Sequence, residues 1–517
     1  MIGGGTAQKL ITGGIRMNKI EELKSARDGL LIMEDLKRFA AGGYDSIPED
    51  DMTRLRWAGL FARNTTPGHF MLRVRVPAGV LEAQQWKTLG KLAESYGRSI
   101  MDITTRQGVQ LRWIRIEDAP AIFARLAAVG LSPLQTGHDN ARNVMSCPVA
   151  GLDPREWADV QDAVRAVNSM IVGNREFSNL PRKFNIAITG CPDDCGHSEI
   201  NDIGVVPVHA ADGRVRFCVR VGGALGPTYH RIAEWMPGSI ARREIAPVCR
   251  AILELYRDFG PRDKRHKARL FHLLDRWGME RFASLVRKRS GVSFDSAPVV
   301  LPHGAQRRDH IGIYRERDSL RAYVGLLVPV GSITAQQWLA IGNMAARYGT
   351  GQVRLTAGQN IVVPHIHRSE LDAFLAEDVI VALSPMPNPF LRGTVSCTGK
   401  QFCDKAIIET KQVARAIADH LDHTVEASER PLHIHWSGCP NSCGQHQVAD
   451  IGLQGTKVRL DGRMTDAVDI HLGGAVAPEG SRVYRERVPV SELPEVMRCL
   501  VEGIMQEQRD GTPPSAG

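Results

Sequence analysis

The sequence predicts an α+β chain written as one module twice, giving two pseudo-two-fold halves that share a core. Three observations predict it. Val76-Pro-Ala-Gly-Val-Leu-Glu-Ala-Gln-Gln-Trp86 returns as Val328-Pro-Val-Gly-Ser-Ile-Thr-Ala-Gln-Gln-Trp338, an offset of 252 residues. Both copies run on to Tyr-Gly, at Tyr96 and Tyr348, and then to an alternating stretch that ends in Gln107 or Gln359. Gly190-Cys-Pro-Asp-Asp-Cys-Gly196 is answered by Gly438-Cys-Pro-Asn-Ser-Cys-Gly444, each followed by Asp-Ile-Gly, at Asp202 and Asp450. A Gly-Gly-Ala follows at Gly222 and again at Gly473. The order is kept over a span far longer than any solenoid repeat, so this is duplication of a whole module.

Within each copy the pattern reads strand, turn, helix, strand. Met71 to Val76 alternates, with Arg73 and Arg75 on one face and Leu72, Val74 and Val76 on the other. Pro77 and Gly79 end it. Leu81 to Tyr96 carries Trp86, Leu89, Leu92 and Ala93 at helical spacing, and Ile100 to Trp113 alternates again. Strands are expected at Gly204 to Val208 and Val215 to Val221. Helices are expected at Arg231 to Met236, Ile245 to Phe259 and Leu270 to Arg287. Asp309 to Asp318 reads as the start of the second half. Pro385 to Pro389 reads as a hinge before the cysteines, and Arg509 to Gly517 as a disordered tail. The expected division is an N-terminal arm (1–50), a small first unit (51–130), a larger mixed-sheet unit (131–305), their repeats (306–384 and 385–508) and the tail (509–517).

With 43% apolar and 24% charged residues among 517, the composition excludes a disordered chain. No apolar run approaches the roughly 18 residues of a membrane helix; the best, Tyr323 to Val330, is strand-sized. Met1 to Arg16 is Gly-rich and lacks the apolar core of a signal peptide, and Met17 is an alternative start. No membrane association is expected, and a cytoplasmic location is. The net charge of +8 suits acidic ligands or an acidic partner. Nucleic acid is not expected, because the basic run Arg262 to Arg269 lacks interleaved aromatics or a reader motif; it reads as a solvated helix start. Ten cysteines are too few for a disulfide framework, but seven of them cluster, which points to metal or redox chemistry.

In the second half, Cys397-x5-Cys403 and Cys439-x3-Cys443 give four thiols in two pairs. Zinc pairs usually lie two to four residues apart, so the wider gap favours a [4Fe–4S] cluster over a structural zinc. Gly438, Pro440 and Gly444 make a turn whose N–H groups can face sulfur. A helix expected over Gln401 to Leu421 would put Cys403 near its positive end.

Thr398-Gly-Lys-Gln-Phe-Cys403 with Ile407-Ile-Glu-Thr-Lys411, and Ser437-Gly-Cys-Pro-Asn-Ser-Cys-Gly444 with Ala449-Asp-Ile-Gly452, resemble the sirohaem–[4Fe–4S] nitrite and sulfite reductases over about Leu55 to Val490. The resemblance implies that each half is a ferredoxin-like half-domain plus a mixed-sheet sirohaem or cluster domain. It also implies that Cys397, Cys403, Cys439 and Cys443 bind the cluster, with Cys443 bridging to the sirohaem iron. By the same motif match, Arg73, Arg142, Lys183 and Asn185 contact substrate, and Arg75, Arg106, Gln107, Gln110 and Arg182 hold the macrocycle. A polycarboxylate haem and an oxyanion both call for such guanidinium and ammonium donors.

The first half keeps Cys147, Cys191 and Cys195 but has Asp153 where a fourth thiol is due, and carboxylate is a poor iron–sulfur ligand. These cysteines read as a remnant of the duplication, in loops that help form the haem pocket; a second cluster or a zinc is the alternative. No Gly-x-Gly-x-x-Gly follows a strand and there is no P-loop, so electrons must come from outside, from an acidic ferredoxin or another one-electron donor protein. The expected activity is six-electron reduction of nitrite to ammonia by a monomer. Sulfite reduction on the same scaffold is the nearest alternative, and a zinc-stabilised binding scaffold the alternative of another class.

Overall fold

The two copies of Ala-Gln-Gln-Trp meet face to face. In the computed structural model, which describes residues 18–300, 307–426, 431–474 and 481–509, each repeat opens a helix, Ala83–Tyr96 and Ala335–Tyr348. Glu82 with Gln85 and Thr334 with Gln337 cap the two helices by the same reciprocal box. The indole rings of Trp86 and Trp338 stack at 3.5 Å with an interplanar angle of 2°. Trp86 Nε1 donates to the Trp338 carbonyl at 2.6 Å and Trp338 Nε1 to the Trp86 carbonyl at 2.9 Å, so a pseudo-two-fold axis passes between the rings.

Each helix covers a five-stranded antiparallel sheet, and the two sheets exchange an edge. The first runs Leu60–Ala62, Phe70–Val74, Val109–Ile114, Ile100–Ile103 and then Ser332–Thr334, a strand from the other half. The second runs Gly312–Arg315, Arg321–Leu326, Ile361–His367, Val353–Leu355 and then Val80–Leu81 from the first half. The exchange needs close backbone approach at Gly79 and Gly331, both at positive φ; a Cβ on Gly79 would lie 2.2 Å from the Leu355 carbonyl oxygen. Gln107 Nε2 donates to the Leu355 carbonyl and Gln359 Nε2 to the Ile103 carbonyl, each at 3.0 Å. Apolar faces of both sheets and both helices form one continuous core, including Leu72, Leu89, Leu111, Val324, Ile341 and Ile361.

Two mixed sheets carry the cysteine loops. One has the order Glu234–Ile240, Val215–Val221, Ile203–Ala210, Phe184–Ile188, Ala141–Met145. The other runs Thr394–Ser396, Ile434–Ser437, Ile451–Leu460, Arg463–Leu472, Arg482–Pro489. In both, the three strands nearest the cysteines are parallel and the rest antiparallel. The cysteine loops leave the carboxyl ends of those parallel strands, the usual place for a site in such sheets.

Several expectations are corrected. Glu234–Ile240 is a strand, not part of a helix, because it pairs with Val215–Val221. The helix expected over Leu270 to Arg287 is two, Leu270–Trp277 and Met279–Ser290, broken at Gly278 with φ +77°. The stretch from Ile100 to Trp113 is a hairpin of two strands rather than one run. Within the N-terminal arm, Ile32, Leu36 and Phe39 of the helix Ile32–Gly42 enter the main core. The basic run turns inward, Arg262 onto Glu21, Arg265 onto Asp139 and Arg269 onto Asp202, with Arg269 1% exposed. Arg509 ends the helix Leu493–Arg509; the rest of the expected tail and the leader before Asn18 lie outside the described residues. No helix among the described residues is long and apolar enough to cross a membrane.

The indole pair should dominate the stability of the joined half-domains. Trp86→Ala removes a fully buried ring and is expected to cost about 3–5 kcal/mol, read as a lower urea midpoint; a midpoint equal to wild type would refute that role.

Candidate functional site

A cavity of about 410 Å³ opens where the first small sheet, the first mixed sheet and the second-half cysteine loops converge. Its floor is a polar row across three strands. In register, Arg73 of Phe70–Val74 faces Gln110 of Val109–Ile114, and Gln110 faces Asp102 of Ile100–Ile103. Strand alternation sends these side chains to the cavity while Leu72, Leu111 and Met101 go to the core. Arg112, two residues beyond Gln110, shares that face.

The wall comes from the first mixed sheet. Arg142 lies on Ala141–Met145, Asn185 on Phe184–Ile188, and Arg182 and Lys183 just before it; all four line the cavity. Lys183 and Asn185, two apart, reach the same space. The backbone N–H of Asn185 donates to Asp202 at 2.8 Å, which anchors the strand and leaves its side chain to the cavity. Arg106 sits in the turn after Ile103; it donates to Asn201 Oδ1 at 2.9 Å and the Asn143 carbonyl at 3.1 Å.

The roof is the second-half loops. Cys397, Cys403, Cys439 and Cys443 all line the cavity. The Gly438 backbone N–H donates to Cys397 Sγ and the Asn441 side-chain amide to Cys439 Sγ, each at 3.2 Å. Among the described residues, no three of these thiols have all their sulfurs within 4.8 Å of one another, a spread too wide for one ion and suited to a cluster. Cys443 is exposed to the cavity yet closely surrounded by protein. Burial, with Cys397 nearby and Lys183 opposing, pushes its thiol up to about 12. The helix expected to start near Cys403 begins only at Lys411, so no helix terminus supports that thiol.

The electrostatics of the cavity are one-sided. Arg63, Arg73, Arg106, Arg112, Arg142, Arg182, Lys183, Lys405 and Lys411 line it, and among the described residues Asp102 is its one carboxylate. Burial pushes Arg73 and Arg106 down to about 10 and Lys183 to about 7, and lowers Arg142 strongly, with neighbouring cations adding to the effect. Among the described residues, Arg73 Nε, Arg106 Nε and Arg142 NH1 are buried without an acceptor. Buried donors without acceptors are costly, so this arrangement is that of a seat for anions.

Two expected residues lie elsewhere. Arg75 follows the end of its strand, is 2% exposed, and donates to the carbonyls of Leu134, Gln135, Ala141 and Arg142. It ties the two first-half sheets together and does not reach the cavity. Gln107 is fully buried, its amide committed to Ser146 and Leu355. Cys147, Cys191 and Cys195 also lie off the cavity, the first two packed with Tyr323 and Val362.

Arg63, Arg112, Lys405 and Lys411 escaped the sequence reading. The signal for Arg112 was its two-residue spacing from Gln110; Lys411 ends the stretch Ile407-Ile-Glu-Thr-Lys411. Arg112 Nε donates to Asp102 Oδ2 at 2.8 Å and Lys411 Nζ lies 3.0 Å from Asp102 Oδ1. Burial alone would raise the Asp102 carboxyl, but Lys411 and Arg112 outweigh it and hold it at about 2. Because its folded pKa is depressed, Asp102 contributes stability above the unfolded carboxyl value, about 4, and loses it as pH falls through about 2. Asp102→Asn should cost about 3–5 kcal/mol at neutral pH by stranding two buried cations. The gap to wild type, followed by thermal melts, should narrow between pH 4 and 2; a gap independent of pH would refute the pairing.

Comparison with known proteins agrees with this architecture. Residues 137–294 and 388–512 match the nitrite and sulphite reductase 4Fe-4S domain, and residues 63–129 and 314–377 the nitrite/sulfite reductase ferredoxin-like half domain. A ferredoxin–nitrite reductase of Synechococcus elongatus is 44% identical over 94% of this chain and 96% of its own. An assimilatory ferredoxin-dependent nitrite reductase of Haloferax mediterranei is 37% identical over 96% and 90%. The solved structure of the Mycobacterium tuberculosis NirA protein superposes with a TM-score of 0.90 at 28% identity, covering 97% of this chain and 95% of that one. Duplicated half-domains, exchanged strands and four second-half cysteines over a cationic cavity are therefore the features of a chain that belongs to the nitrite and sulphite reductase family.

Proposed function

We propose that this chain reduces nitrite to ammonia with electrons from ferredoxin, at a sirohaem coupled to a [4Fe–4S] cluster. The observation that carries the reading is the composite cavity: four thiols on one side, and buried guanidinium and ammonium groups without acceptors on the other. The relatives named for ferredoxin-dependent nitrite reduction support the substrate and donor. The net charge of +8 favours long-range attraction of an acidic donor protein.

The residues present fit both groups. Cys397, Cys403, Cys439 and Cys443 would hold the cluster, with N–H donors from Gly438 and Asn441 supporting the sulfur charge. Arg106, Gln110 and Arg182 would meet macrocycle carboxylates, and Arg63, Arg112, Lys405 and Lys411 extend that cationic surface. When bound, the coupled centre supplies one-electron equivalents and a Lewis-acidic iron for the substrate nitrogen.

The chain's own residues do the rest. Arg73, Arg142 and Lys183 draw the anion into a buried site and orient its oxygens by charge-assisted hydrogen bonds. Burial of Lys183 to about 7 lets its ammonium give up a proton near neutral pH, as departing oxygen requires. Asn185 offers an amide that donates and accepts without charge. Six electrons take nitrogen from +3 to −3, with both oxygens leaving as water.

Three variants test the reading. Cys443→Ser places a hard hydroxyl where a soft thiolate is needed, so coupled cluster and haem spectra and turnover should be lost together; retention of all three would remove the cluster from these loops. Arg142→Ala removes a donor of the kind contributing about 1.5–3 kcal/mol, so kcat/KM for nitrite should fall roughly ten- to a hundredfold with haem content unchanged. Unchanged kcat/KM would exclude Arg142 from substrate binding.

Asn185→Lys addresses the choice of anion. Sulfite carries more charge over three oxygens, and one added unit charge about 4 Å away is worth on the order of 4 kcal/mol at an effective dielectric near 20, before desolvation. A third of that shifts preference about tenfold. Wild type should prefer nitrite, and the variant's ratio of sulfite to nitrite kcat/KM should rise. A wild-type preference for sulfite, or an unmoved ratio in a haem-loaded variant, defeats the assignment.

A further inference from the structure

The pseudo-two-fold axis gives the cavity a counterpart against the second small sheet, and that counterpart is filled. Gly325 stands where Arg73 stands in the first repeat, and a Cβ there would meet the His310 carbonyl oxygen at 1.6 Å. Val362, paired with Gly325, replaces Gln110. The segment from Arg307 to Ile311, joining the halves, thus lies over the sheet and carries His310 to the first-half cysteines.

We propose that Cys147, Cys191, Cys195 and His310 hold a single zinc ion at the pseudo-symmetric counterpart of the cluster site. Cys147 corresponds to Cys397, and Cys191 and Cys195 to Cys439 and Cys443. Asp153, at the place of Cys403, is not a ligand: it pairs with Arg308 and accepts from the Tyr323 hydroxyl at 3.2 Å. His310 supplies the missing donor. Its Nε2 lies 3.2 Å from Cys195 Sγ and 3.9 Å from Cys147 Sγ, and the three ligand atoms fall within 4.8 Å of one another. Cys191, buried in the same packed cluster as Cys147, falls outside that 4.8 Å set and would close on the ion as the fourth ligand.

The spacing selects one ion. Zinc–sulfur bonds of about 2.3 Å and zinc–nitrogen bonds of about 2.0 Å in a tetrahedron put ligand atoms roughly 3.5–4 Å apart. Three thiolates and an imidazole are a common closed structural zinc set. All four residues are buried, which leaves no open position for substrate. The charge of three thiolates is met by Arg354 beside Cys147, Arg155 beside Cys191 and Arg307 beside Cys195. Binding releases the thiol protons to solvent and involves no electron transfer.

His310 is also held in advance. Arg307 pairs with Glu199 at 2.7 Å, Arg308 with Asp193 at 2.9 Å, and Asp309 with Arg392 at 2.9 Å. The backbone at His310 has φ +62°, a conformation costly to a non-glycine residue that persists where surroundings enforce it. A metal here would lock the crossing segment to the first half.

The test is elemental analysis of the full-length holoenzyme, purified without added zinc. About one zinc per chain is expected beside the iron. Cys195→Ser and His310→Ala should lose the zinc while iron content and the visible spectrum stay at wild type; His310→Cys should keep it. Substoichiometric zinc in wild type, wild-type zinc in Cys195→Ser, or iron lost from Cys195→Ser would each overturn the proposal. Should the variants not fold, zinc-edge X-ray absorption on wild type decides: three sulfur and one nitrogen neighbours support the site, and any other shell refutes it. Because the iron spectrum is read separately, failure here is distinguishable from failure of the nitrite reductase reading.

Discussion

The arrangement of this molecule hangs on the contact between Trp86 and Trp338. Two indoles stacked with each N–H on the other's carbonyl define one relative orientation of two helices, and each helix fixes its sheet. The contact lies in the dry core, where stacking and hydrogen bonding act without competition from water. Gln107 and Gln359 repeat the logic nearer the cysteines, each crossing to the other half and also holding Ser146 or Ser396 of its own. The polar floor built by one repeat is thereby set beneath the thiols of the other.

Charge is the second organising constraint. A cavity lined by so many cations would repel itself apart without a rigid frame and an anionic occupant. The frame neutralises what lies just outside: Asp139 takes Lys24 and Arg265, and Asp202 takes Arg269 and the Asn185 N–H. Inside, Asp102 partners Arg112 and Lys411, while Arg182 and Arg63 reach out to Asp139 and Asp404. The unpaired guanidinium atoms are those that face the space a polycarboxylate macrocycle and a small oxyanion would take.

Much of this was legible in the chain. Duplication, alternation along Met71 to Val76, the helix after each Gln-Gln-Trp and the paired cysteines all follow from local pattern, because periodicity and turn chemistry are local properties. Arg73, Gln110, Arg142, Lys183 and Asn185 line the cavity. Arg75 does not, because strand alternation holds only while the strand lasts, and this one ends at Val74. Gln107 was misread because a buried amide serving another half's backbone looks, in sequence, like any polar residue in a turn. The exchanged strands, Val80–Leu81 and Ser332–Thr334, left no trace either: two or three residues carry no period, and their partners lie in the other repeat. His310 had no motif neighbours at all.

The exchange of those short strands has an evolutionary consequence. After a gene duplicates in tandem, its copies ordinarily drift apart, each answerable to its own fold. Here each copy closes the sheet of its sibling, so a change at Val80 or Leu81 is judged by the second repeat and a change at Ser332 to Thr334 by the first. Selection therefore acts on the pair as one heritable unit. That leaves one cysteine site free to lose a thiol, as Asp153 stands at the place of Cys403, only while the contact between the copies is kept.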